Sequence, residues 1–74
     1  MSIIILVIII EMTIYFKRTE KKMTLVELSK KTGISKSALQ YYESNIRFPN
    51  MLQMEKLAIA LEVPITDLFN SEYK

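Results

Sequence analysis

Apolar residues fill eight consecutive positions near the start of the chain, residues 3–10, and after Glu11 they return at helical spacing. The run IIILVIII is rich in β-branched residues, which favour a strand. It is far shorter than the roughly 20 residues of a membrane span. No basic stretch precedes it and no small-residue cleavage site follows it, which argues against a signal peptide. Lys17 and Arg18 would suit the inner flank of a span, but Glu11 would fall inside it. Several readings stay open. The run is an arm or strand that pairs with a second copy, through Ile3, Ile5, Val7 and Ile9, or a helical extension of the first helix. Membrane contact and a misassigned start, with initiation at Met12 or Met23, are the others.

Residues 11–22 are expected to form the first helix, with Ile14 facing inward. Tyr15 and Phe16 cannot share that core with Ile14, so at least one covers the N-terminal run or a partner. Residues 23–43 read as helix, tight turn and helix. Thr24 and Glu27 have capping-box spacing. Leu28 and Thr32 share one face, and Gly33 stands where the helix must stop in a left-handed conformation. Ile34 follows as a buried plug, Ser35 can cap the next helix, and Leu39 and Tyr42 mark its inward face. Two short helices joined this tightly bury their faces only by crossing steeply, which is helix-turn-helix geometry. Asn50 and Gln53 open a fourth helix, and Met54, Leu57, Ala58 and Leu61 have the spacing of a buried stripe. Met51 and Met54 read as packing, with Met51 and Leu52 also able to support a dimer surface. Val63-Pro64 breaks the helix, and residues 65–69 are expected to form a short fifth one. The organisation expected is an apolar extension over 1–10, one domain over 11–70 and a frayed tail over 71–74.

Composition narrows the chemistry. At 74 residues there is room for one domain. The chain has no Cys and no His, so disulfides, thiolate metal sites and the commonest general base are absent. No Gly-rich phosphate loop is present, and the carboxylates fall at capping and surface positions. The sequence therefore implies no enzyme, no cofactor, no metal site and no small-molecule substrate. The net charge of +2 is uneven. Residues 17–47 hold eight Lys or Arg against three Glu, whereas residues 48–74 hold two Lys against four acids. Concentrated basic charge on the helix-turn-helix attracts phosphates, although a solvated helix face would look the same.

The ordered set Leu28–Ser29, Thr32–Gly33–Ile34–Ser35, Leu39, Tyr42–Glu43, Pro49, Leu57–Ala58, Ala60–Leu61, Val63 and Leu68 resembles the phage-repressor and Cro-like helix-turn-helix class, the XRE family. The resemblance covers roughly residues 14–69. It implies an all-α, compact five-helix, lambda-repressor-like DNA-binding domain, here preceded by the apolar extension. It departs from the family pattern at Lys22, Asn45 and Glu62, which stand where Gly is common, and at Leu25, where a polar phosphate-gripping side chain is usual. The resemblance also matches Arg18 and Glu43 to a pair that the family uses as an internal ion pair.

In the resembling family the outward positions of the third helix reach base edges, which here are Lys36, Ser37, Gln40 and Tyr41. Their chemistry suits the task. Lys donates to guanine, Gln pairs with adenine, Ser is permissive, and Tyr touches a thymine methyl or a phosphate. Thr24, Leu25, Lys30, Lys31, Ser35, Asn45 and Arg47 are the candidate phosphate contacts, with the backbone N–H at Leu25 in place of a side chain. The implied function is a sequence-specific, cytoplasmic DNA-binding regulator, a repressor that binds double-stranded operator DNA as a homodimer. An antitoxin-like protein-interaction module and a membrane-tethered regulator are the alternatives.

Overall fold

The computed structural model describes residues 10–71. Strand β1 is Ile10–Met12. Four helices follow: α1 Ile14–Glu20, α2 Leu25–Thr32, α3 Lys36–Glu43 and α4 Met51–Leu61. A 3-10 turn, Ile65–Leu68, leads into strand β2, Phe69–Ser71. β1 and β2 pair antiparallel, with Ile10 opposite Ser71, Glu11 opposite Asn70 and Met12 opposite Phe69.

This differs from the expected five-helix, all-α arrangement in two places. The first helix begins at Ile14, not residue 11, because the backbone before it has partners elsewhere. Thr13 donates its N–H to the Leu68 carbonyl at 2.9 Å and its hydroxyl to the Asp67 carbonyl at 2.6 Å. Met12 donates its N–H to Asn45 Oδ1 at 2.7 Å. Pairing with β2 holds Ile10–Met12 extended, so the helix can start only after Thr13. The expected fifth helix is a single 3-10 turn, because Phe69 leaves it at once to pair with Met12. Ser71, expected in the frayed tail, pairs with Ile10. The pairing residues expected at Ile3, Ile5, Val7 and Ile9 lie outside the described residues.

The core explains why the helices are placed as they are. Ile14, Leu28, Leu39, Leu57, Leu61 and Leu68 are fully buried, one or more from each helix and the 3-10 turn. Burying each such side chain contributes about 1.5–3 kcal/mol. Met12, Ile34, Tyr42, Met54 and Ala58 complete the cluster. Thr32 is the one buried polar residue among those described. Its hydroxyl donates to the Leu28 carbonyl at 2.8 Å and accepts from the Ile34 N–H at 3.1 Å, so nothing polar is left unsatisfied there.

Each of the four α-helices stops at or just before a left-handed residue. Lys22 (φ 56°), Gly33 (φ 75°), Asn45 (φ 61°) and Glu62 (φ 58°) follow α1, α2, α3 and α4 in turn. Only one of them is Gly. A left-handed stop turns the chain back over the last turn and satisfies its open carbonyls. After α1, for example, the Met23 N–H reaches the Arg18 carbonyl at 3.1 Å.

Candidate nucleic-acid interface

The helix-turn-helix is held by short-range hydrogen bonds. In α2, the Thr24 hydroxyl accepts from the Glu27 N–H at 3.1 Å, and the Glu27 carboxylate accepts from the Thr24 N–H at 2.8 Å. That backbone bond, followed by the Thr24 side-chain bond, lowers the Glu27 pKa. At the turn, the Gly33 N–H meets the Ser29 carbonyl at 2.8 Å, and the Ser29 hydroxyl donates to the Ile34 carbonyl at 2.6 Å. A Cβ on Gly33 would meet nothing within 4 Å, so glycine is required there for its φ, not for space. Ser35 then caps α3, its hydroxyl accepting from the Ala38 N–H at 3.1 Å. Ile34 is buried beneath the turn, which fixes the angle at which α3 leaves.

With Leu39 and Tyr42 turned inward, α3 presents Lys36, Ser37, Gln40 and Tyr41 to solvent on its other side. These four candidate base-reading residues are therefore brought together on one exposed helix. The candidate phosphate residues are spread more widely. Thr24, Lys30, Lys31, Ser35, Asn45 and Arg47 are exposed, whereas Leu25 is half-buried and packs against the core. The oxygens of Thr24, Ser35 and Asn45 already accept backbone N–H groups within the chain. The hydroxyl hydrogens of Thr24 and Ser35 keep their donor capacity toward an anion.

Two contacts fix α3 relative to the rest of the fold. Arg18 in α1 and Glu43 at the end of α3 form a bidentate pair with side chains only 12% and 10% exposed. Arg18 Nη1 also donates to the Met23 carbonyl at 2.9 Å. The hydrogen bond to Glu43 raises the Arg18 pKa above its ordinary value, against the opposing effect of burial. On the other side, the Tyr42 hydroxyl donates to Gln53 Oε1 at 2.8 Å.

Two features of this surface were not anticipated from the sequence. Asn45 ties the end of α3 to β1 through Met12, across 33 residues of chain. The Arg47 guanidinium lies over the Tyr41 ring, 4.9 Å from its centroid. An aromatic residue six positions before an arginine, with Asn between them, is the only sequence signal for that second contact. Among the described residues, no group of three acidic, His or Cys side chains is placed to hold a metal ion. No helix among them is long and apolar enough to cross a membrane.

A family model described as helix-turn-helix matches residues 14–68. That match runs from the first residue of α1 to the last of the 3-10 turn. No curated protein matches the chain.

Proposed function

The chain belongs to the Cro-type, XRE-like helix-turn-helix family of DNA-binding transcription regulators, and on that footing we propose that it is a repressor binding operator DNA as a homodimer. The observation that carries this reading is the placement of α3. It exposes Lys36, Ser37, Gln40 and Tyr41 on one side, while its other side is anchored by Leu39, Tyr42 and Glu43. A rigidly seated helix with exposed donors suits entry into the major groove. Lys36 matches guanine acceptors, and Gln40 matches the paired donor and acceptor of adenine.

Thr24, Ser35, Lys30, Lys31 and Arg47 would grip the phosphates flanking the groove, with the backbone N–H of Leu25 contributing at the start of α2. Leu25 gives up the polar side chain at that contact, because it packs against the core instead.

A homodimer reading a twofold site needs a self-complementary surface. The apolar run ending in β1 is our candidate, through Ile3, Ile5, Val7 and Ile9. The geometry of β1 supports it. The Thr13 N–H points to Leu68 and the Met12 N–H to Asn45, so backbone groups alternate sides along this segment. Ile10, at the start of β1 and paired with Ser71, keeps an exposed apolar side chain that a second copy could cover. A repressor of this kind works inside the cell, where its operator is.

The test is selection of duplexes from a random pool, followed by binding titration. A specific, palindromic site that loses affinity with Gln40→Ala and Lys36→Ala is expected. Binding that is weak and equal for every sequence would overturn the reading.

A further inference from the structure

We infer that Tyr41 is a positioning residue whose ring holds the Arg47 guanidinium ready for a DNA backbone phosphate at the edge of the groove. This rests on the DNA-binding reading and moves Tyr41 from the base-contacting candidates to the support of a phosphate contact.

The chain after α3 is folded to make the contact. Asn45 is left-handed at φ 61°, and the next two N–H groups converge on one acceptor. Those of Ile46 and Arg47 reach the Tyr41 carbonyl at 3.0 and 3.3 Å. The same residue that receives these backbone bonds therefore offers its ring to the Arg47 side chain, at 4.9 Å. Both side chains are exposed, so the pair sits at the surface beside the outward side of α3.

Arg47 also lacks a carboxylate partner among the described residues. Glu43, the nearest acid along the chain, has both oxygens engaged by Arg18. From residue 44 to residue 54 there is no Asp or Glu at all. The charge on Arg47 is thus unneutralised, while its position is already restricted by the ring. A guanidinium stacked on an aromatic face keeps its edge N–H donors free, and that planar fork fits two phosphate oxygens. Arginine loses considerable rotamer freedom when it binds, and a ring that restricts it beforehand reduces that loss.

The test is a double-mutant cycle on a duplex enriched by selection, read by fluorescence anisotropy over a range of salt. Tyr41→Phe keeps the ring and is expected to bind within about twofold of the wild type. Tyr41→Leu removes the ring and is expected to bind about three- to tenfold more weakly. Arg47→Ala should weaken binding similarly and reduce the salt slope by about one. The double variant Tyr41→Leu/Arg47→Ala should be no weaker than Arg47→Ala alone, with base preference unchanged throughout. Arg47→Lys, which has no planar fork, should fall short of the wild type.

In the free protein, the NMR resonance of the Arg47 side-chain Nε–H should carry a ring-current shift that Tyr41→Phe retains and Tyr41→Leu abolishes. Additive losses would overturn the inference. So would a Tyr41→Phe variant as weak as Tyr41→Leu with altered base preference, which would make the hydroxyl a direct reader. A wild type that selects no duplex would overturn the DNA reading itself. A selective wild type with unimpaired Arg47→Ala and Tyr41→Leu variants would overturn only this pairing.

Discussion

Arg18 and Glu43 meet as two parallel forks, with Nε donating to Oε2 at 2.7 Å and Nη2 donating to Oε1 at 3.1 Å. One residue belongs to α1 and the other to the end of α3, 25 positions later. The pair is largely shielded from water, so its attraction is weakly screened, but both charges have also lost hydration. The gain and the cost oppose one another, and the pair ties the end of α3 to α1.

Removing one partner should be costly, because the other is left charged and poorly solvated. Arg18→Met and Glu43→Leu are each expected to lower stability by about 2–3 kcal/mol. The double variant should recover most of that loss. Thermal unfolding of all four proteins measures the coupling directly. Strictly additive losses would show that the two side chains act independently.

The left-handed stops at Lys22 and Glu62 carry strain that Gly33 does not, because a Cβ crowds the following carbonyl there. Lys22→Gly and Glu62→Gly should each stabilise the fold by about 0.5–1 kcal/mol, seen as a higher Tm. Glu62 also lies 3.3 Å from Lys21, but both side chains are too exposed for that pair to offset the gain. Gly33→Ala should do the opposite, by about 1–2 kcal/mol. A Tm unmoved by either glycine variant would mean the backbone has relaxed around these residues.

Glu27 supplies a pH dependence whose sign is determined by its cap. Its carboxyl is held below the ordinary value of 4.5 by the Thr24 backbone bond first and the Thr24 side chain second. A carboxylate with a depressed folded pKa contributes stability above its unfolded pKa and loses it as pH falls through the folded one. Urea midpoints should therefore fall less steeply between neutral pH and pH 3 for Glu27→Gln than for the wild type. Parallel acid limbs for the two proteins would remove Glu27 from the acid response.

Pairing through the N-terminal run predicts a clear size change. A chain beginning at Ile10 keeps all of β1. Light scattering is expected to show a dimer for the full chain and a monomer for the shortened one. The shortened chain should bind a two-half-site duplex at least about tenfold more weakly, because the second recognition helix is no longer tethered. Two dimers would instead place the interface within residues 10–71, where exposed Met51 and Leu52 flank the start of α4.

What was legible in the sequence was what local chemistry determines. Both capping boxes, Thr24 with Glu27 and Asn50 with Gln53, are visible at their three-residue spacing and form as expected. The stripe of Met54, Leu57, Ala58 and Leu61 is buried, as its period required. Asn45 and Gly33 could be read as left-handed stops from residue type alone. The strand at Ile10–Met12 could not, because its partner is at the far end of the chain and its residues also suit a helix extension. The same distance hides the end of the 3-10 turn, because Phe69 leaves it to pair with Met12 of β1. Asn45 reads in the sequence as a left-handed stop and a candidate phosphate contact, and the use of its side-chain oxygen by Met12 depends on packing that no spacing reveals. The Arg47–Tyr41 contact was hidden likewise, because only the reversal at Asn45 brings them together.

A single oxygen atom, Gln53 Oε1, accepts from two donors, the Asn50 N–H at 3.1 Å and the Tyr42 hydroxyl at 2.8 Å. The first bond belongs to the start of α4 and the second to the inner side of α3. Fraying of α4 at its first turn thus withdraws a support from α3 in the same event. The end of α3 and the start of α4 are coupled through one atom, and local opening of either is expected to loosen the other.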